Sequence, residues 1–146
     1  MNKVYDPRMH SAEHILNQTM DRMFGCGRCF SAHIEKKKSK CDYRLHRELT
    51  ADEIQEVETR VNAVIDRDLP ITEEYMGKQK ASESYNIERL PRDAGDAVRI
   101  VKIGDYDACP CIGPHVEATR TIGKFRITAT SFKNQVFRII FRLQNG

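Results

Sequence analysis

Apolar residues recur at helical spacing near the start of the chain, at Met9, Ala12, Leu16, Met20 and Met23. This stripe predicts an amphipathic helix from about Pro7 to Phe24, ended by Gly25-Cys26-Gly27. A second stripe, Ile54, Val57, Val61, Val64 and Ile65, predicts a helix running to about Arg67. It opens on Thr50-Ala51-Asp52-Glu53, a capping box in which the threonine oxygen satisfies a free amide of the first turn and the glutamate reaches back. Leu69-Pro70-Ile71 then leaves towards a strand. Residues 77–95 are polar and carry Pro91, which predicts a short helix followed by a loop. Strands are expected over Phe30 to Glu35, Lys40 to Arg47 and the Val- and Ile-rich Ala97 to Ile103. Lys124 to Thr130 and Gln135 to Leu143 read as a closing antiparallel pair.

A chain of 146 residues is one domain's worth, large enough for a real core, and residues 1–146 show no internal repeat or second domain boundary. No apolar run approaches the roughly 18–20 residues that cross a bilayer. The first residues lack a hydrophobic targeting core, so a cytoplasmic protein with no membrane partner is expected. Five cysteines, an odd number, argue against a secreted disulfide scaffold. The formal charge is only +3, and its distribution says more than its size. Four lysines fall in the five residues Lys36-Lys37-Lys38-Ser39-Lys40, between two predicted strands. On the closing pair, Arg126, Arg138 and Arg142 alternate with apolar residues and give one face a basic stripe.

The chemistry concentrates in two remote stretches, His10-Ser11-Ala12-Glu13-His14 and Cys111-Ile112-Gly113-Pro114-His115. On a helix, side chains at i and i+4 project from one face, so His10 and His14 can grip one ion together. The second pair sits in a Gly-Pro turn, where Gly113 lets the backbone fold back and Pro114 fixes its direction. Three imidazoles and one thiolate suit zinc. Three of the five histidines lie in these motifs, a concentration that favours a site over scatter. A competing arrangement joins Cys26-x-x-Cys29 with Cys109-x-Cys111 as four thiolate ligands, but it leaves the histidines unexplained. Cys26, Cys29, Cys41 and Cys109 otherwise read as reduced surface or half-buried thiols. Glu13, at i+3 from His10, could reach the edge of the site as an acceptor or general base, or could be a surface carboxylate. Zinc proteases place their glutamate directly after the first histidine instead. Asp105 and Asp107 are alternative acids close to the cysteine motif.

His10-Ser-Ala-Glu-His-Ile-Leu16, followed by Cys111-Ile-Gly-Pro-His-Val-Glu-Ala-Thr-Arg-Thr-Ile-Gly123, resembles the editing domain of alanyl-tRNA synthetase and its freestanding relatives, the AlaX proteins. The likeness extends through Leu49 to Ile71, Val98 to Tyr106 and Ile122 to Ile127. The editing domain of threonyl-tRNA synthetase is also similar, and C-x-G-P-H-V leans towards its spelling. The resemblance implies an α+β fold, a two-layer domain with an antiparallel sheet packed against helices. It implies hydrolysis of mischarged aminoacyl-tRNA, typically serine or glycine wrongly attached to the alanine tRNA, with the acceptor end as the part recognised. Lys36, Lys37, Lys38 and Lys40 then become phosphate-contact candidates as well as a solvated turn. Ser31 and His33 fall where the family lines its amino-acid pocket. Arg138 takes the place of an arginine pair that closes the family's last turn, though the preceding glycine is missing here. Threonyl-type domains carry an aspartate two residues before the motif cysteine, where this chain has Cys109.

Zinc lowers the pKa of bound water and polarises an ester carbonyl, whereas a shell of four protein ligands is closed and structural. The expected arrangement is therefore His10, His14 and His115 on the metal, Cys111 as a variable fourth ligand, and Glu13 with His14 at the chemistry. The alternatives are a threonyl-type or other aminoacyl-tRNA deacylase, or a non-catalytic RNA-binding module whose zinc is structural.

Overall fold

A computed structural model describes residues 5–86 and 97–144 of the chain. Helix α1 spans Pro7–Phe24, as its apolar spacing predicts. The Asp6 side chain accepts from the Met9 amide, Pro7 starts the helix, and Gly25 ends it at φ 64°. The burial goes further than one stripe: from residue 9 to residue 20 only Glu13 and Gln18 escape full burial. The reason is that α1 is enclosed. Its apolar stripe joins the core formed with the sheet, and its polar side is roofed by the segment from Tyr106 to Ile122. Arg8 donates to the Ile122 carbonyl, Thr19 bonds Tyr106 Oη, and Gln18 donates to Asp107.

Helix α2, Ala51–Asp66, carries the expected capping box between Thr50 and Glu53 and buries Val57, Val61, Val64 and Ile65. Ile54 is only partly buried. The other elements are β1 Ser31–Ile34, β2 Ser39–Arg44, β3 Ile71–Gly77, α3 Lys78–Ser84, β4 Ala97–Ile103, β5 Asp107–Pro110, a short 3-10 turn Thr119–Ile122, β6 Lys124–Lys133 and β7 Val136–Gln144. The loop expected after α3 falls mostly at 87–96, outside the described residues. β2 stops three residues earlier than expected, because the chain turns at Leu45, whose amide bonds the Gln135 carbonyl.

The fold is α+β, and among the described residues the strands form two antiparallel sheets. One has the order β1-β2-β7-β6, the other β3-β4-β5. β6 and β7 form the predicted closing hairpin, turned by Asn134 and Gln135, both at positive φ. The main core lies between the inner face of the four-stranded sheet (Cys41, Tyr43, Phe125, Phe137, Ile139, Phe141) and the two long helices. It continues into the second sheet through Ile103 and Ile71. A smaller cluster of Ala81, Val98 and Ile100 seats α3. Along β6, the Asn62 side chain accepts from the Phe125 amide and donates to the Phe125 carbonyl, while Glu58 accepts from the Ile127 amide. No helix among the described residues is long and apolar enough to cross a membrane.

Candidate metal centre

His10 and His14 stand one turn apart on the covered side of α1, and β5 runs directly into the loop that carries Cys111 and His115. The four side chains meet. The His10 and His115 ring centroids are 4.1 Å apart, those of His14 and His115 4.5 Å, and those of His10 and His14 4.9 Å. Cys111 Sγ lies 3.3 Å from His10 Nε2 and 3.5 Å from His115 Nε2. One donor atom from each residue falls within 4.8 Å of all the others. Around a tetrahedral zinc with bonds of about 2.0–2.3 Å, donors sit roughly 3.3–3.8 Å from one another. The donor set and its spacing therefore fit zinc.

The remaining ring nitrogens are held from outside. His10 Nδ1 bonds the Pro114 carbonyl at 3.0 Å, and His115 Nδ1 pairs with Ser11 Oγ at 2.9 Å. Among the described residues His14 Nδ1 has no hydrogen-bond partner, and it faces Asp107 Oδ2 at 3.6 Å, an ion-pair distance. Asp107 is itself fixed by Arg28, at 2.9 and 3.2 Å, and by Gln18. This is the outer arrangement by which ligating histidines are oriented and kept in one tautomer. The loop has its own supports. Arg99 Nη1 donates to the Gly113 carbonyl at 2.7 Å and reaches the Cys111 carbonyl, while the Cys111 amide returns to the Arg99 carbonyl. Gly113 is pressed on the His10 ring so closely that a Cβ there would lie 2.4 Å from His10 Cε1.

Burial resists the Cys111 thiolate, but hydrogen bonds from His10, His115 and His14 outweigh it and pull the thiol down to about 3. Burial also resists the His14 imidazolium, yet Asp107, Cys111 and Glu13 raise that ring to about 9. His115 is lowered to about 4 by burial, helped by the charges of His14 and His10. Burial alone would raise the Asp107 carboxyl, but His14 and Arg28 hold it well below the usual carboxylate range. A thiolate and two carboxylates thus surround the imidazoles, an electrostatic setting made for a cation.

Glu13 is not a surface carboxylate. Its side chain is 13% exposed, and Oε1 lies 3.8 Å from His10 Nε2 and 4.0 Å from His14 Nε2. Oε2 accepts from Asn17 at 3.0 Å and from the Cys29 thiol at 3.5 Å, and Asn17 in turn accepts from Tyr43 Oη at 2.6 Å. The four-thiolate alternative fails, since Cys26, Cys29 and Cys109 stand outside the converging group. Cys29 and Cys41 are fully buried rather than surface thiols, and burial pushes Cys109 up to about 12, a neutral thiol. Asp107 joins the site, whereas Asp105 is exposed and pairs with Arg67. Lys36, Lys37 and Lys38 are exposed in the β1–β2 connection and Lys40 is half-buried on β2. Arg138 grips Asp42 with two nitrogens, at 2.8 and 3.1 Å. Ser31 and His33 are paired with Asp42 and Lys40 on β2. The signals for Arg28 and Arg99 are long-range and leave no local pattern, while Ser11 sits inside the histidine motif itself.

Residues 98–140 match the family described as the threonyl and alanyl tRNA synthetase second additional domain. Alanine–tRNA ligase of Fervidobacterium nodosum is 32% identical over 125 residues, covering 85% of this chain and 14% of that protein. The Treponema denticola alanine–tRNA ligase is 32% identical over 81% of this chain and 20% of its own length. The alanyl-tRNA editing protein AlaX-L of Pyrococcus horikoshii is 29% identical over 82% of this chain and 29% of its own length. The chain spans less than a third of each of these curated relatives.

Proposed function

We propose that this chain, which is an AlaX-like editing-domain protein, deacylates mischarged aminoacyl-tRNA at a zinc site, with seryl- or glycyl-tRNA(Ala) as substrate. The observation that carries the reading is the convergence of His10, His14, Cys111 and His115 within 4.8 Å from segments about a hundred residues apart in sequence. His10, His14 and His115 would hold the ion, with Cys111 as the variable fourth ligand. Bound there, zinc supplies an acidified water and polarises the ester carbonyl. The chain's own contribution is proton handling and aim. Glu13 Oε2 is anchored by Asn17 and Cys29, which leaves Oε1 turned towards His10 and His14 as the acceptor for a proton from water. Asp107 and Arg28 keep the His14 ring in place. Lys36, Lys37, Lys38, Lys40 and Arg138 would meet the tRNA near its acceptor end, with residues 1–146 acting as one editing-like domain in the cytoplasm.

Four protein donors also describe a closed structural site, which supports a second reading, an RNA-binding module without chemistry. Release of serine from Ser-tRNA(Ala) by zinc-loaded protein separates the two. Wild type should release it and His14→Ala should not; equal rates would overturn the proposal.

A further inference from the structure

We infer that the outer face of the β1-β2-β7-β6 sheet is a docking surface for the phosphodiester backbone of RNA, an inference that rests on the tRNA reading above. The strand register fixes which residues share that face. Phe137, Ile139 and Phe141 of β7 are buried in the core, so Arg138, Ile140 and Arg142 alternate outward. Register partners then place Asp42 and Ser131 beside Arg138, Lys40 and Ala129 beside Ile140, and Arg126 beside Arg142. Arg44 and Lys133 flank Val136 in the next outward row. The face therefore carries Lys40, Arg44, Arg126, Lys133, Arg138 and Arg142 against a single carboxylate, Asp42. Among the described residues, Arg138 alone of these six pairs with an acid.

Two observations point to a ligand. Arg126 and Arg142 are direct cross-strand partners, both exposed, and among the described residues neither forms an ion pair, although Glu58 lines the same surface pocket as Arg126. Like charges opposed across an antiparallel pair destabilise the sheet, and a bound anion relieves them. In the other sheet, by contrast, the cations of β4 are neutralised across the strands: Arg99 pairs with Glu73 and Lys102 with Glu74.

The second observation is continuity with the metal centre. The Arg44 guanidinium sits 4.2 Å over the ring of Phe30, an exposed aromatic whose amide bonds Asp42. The preceding residue, Cys29, touches Glu13. An RNA lying on the sheet thus meets a stacking group at the β1 edge, one residue from the side chains that face the ligand cluster. Phe30 is the only large exposed apolar side chain near this face, the others among the described residues being Tyr75 and Ile112. A face with one aromatic and many cations suits a polyanion better than a lipid surface.

The test uses an unacylated RNA hairpin with a tRNA acceptor stem, titrated against the full chain over a range of salt, and the Arg126→Glu/Arg142→Glu and Arg126→Gln/Arg142→Gln variants. Each lost phosphate contact lowers the salt slope by roughly 0.9, so the double variants should reduce it by about 2 and bind at least about tenfold more weakly. Zinc content should match wild type and, because the opposed arginines destabilise the sheet, the thermal midpoint should be no lower than wild type, which establishes that the variants fold. Equal affinity and slope in either folded variant would overturn the inference, as would wild-type binding to phosphatidylserine vesicles but not to the hairpin. Because the hairpin carries no amino acid, weakened binding in a protein that hydrolyses nothing would leave this inference standing and remove only the deacylase reading.

Discussion

The two halves of the donor set are held by different means. His10 and His14 belong to a helix enclosed on both sides, so packing fixes their backbone and only the ring nitrogens need partners. Cys111 and His115 belong to a loop with no regular backbone pattern from 111 to 116, so hydrogen bonds must do what packing does in α1. Arg99 supplies them to the Cys111 and Gly113 carbonyls, and Ser11 Oγ pairs with His115 Nδ1. The lesson is that the helical half should keep its backbone in place when an outer partner is lost, only the ring loosening, whereas the loop half should move as a whole when its supports go.

The comparison can be broken at graded strengths. His14→Ala removes a donor from the rigid half and should cut zinc affinity by more than the 10–100-fold typical of losing an outer partner, with deacylation falling to the uncatalysed rate. Zinc titration and release of serine from Ser-tRNA(Ala) check it. Gly113→Ala forces a methyl into the His10 ring and so strikes both halves together. It should destabilise the protein by about 1–3 kcal/mol and weaken zinc by up to about 100-fold, read by thermal melting and metal titration.

Asp107→Asn leaves the helix intact but loosens His14, and should weaken zinc by about 10–100-fold. It also carries a pH signature. The Asp107 carboxyl is held below its unfolded value, so its stabilising contribution is present above the ordinary pKa of 3.8 and is lost as pH falls below it. Metal-free wild type should therefore lose thermal stability below about pH 4, and the variant should show a flatter acid limb. Arg99→Ala, the smallest of the four, should weaken zinc by about tenfold through a mobile loop while the α1 histidines stay in place. Histidine NMR signals that shift for His115 but not for His14 would sharpen the contrast; equal shifts would break it.

Periodicity carried much of the fold. The bounds of α1, the capping box of α2 and the strand at Ala97–Ile103 could all be read locally, because each depends on residues within one or two turns or on β-branched content. The division into two sheets could not, since it depends on whether β4 pairs with β3 and β5 or with β7, a long-range choice. The four donors were legible because their spacing is itself the chemistry. Asp107 was named only as one of two acids, and Arg28 and Arg99 were invisible, because only the β5 register and the fold of the chain around α1 bring them to the site. Glu13 was left between two roles. Its face of the helix looks exposed until Cys29, just before β1, and Tyr43 of β2 arrive to close over Glu13 and its partner Asn17.

The amide group of Asn62 occupies both backbone polar atoms of one β6 residue, Phe125, and Glu58 takes the next outward-facing amide. An intruding strand would have to evict two side chains rooted in α2 before it could pair at 125–127. Recruitment of a neighbour by sheet extension is therefore barred along that margin, and any self-association of this molecule has to begin elsewhere.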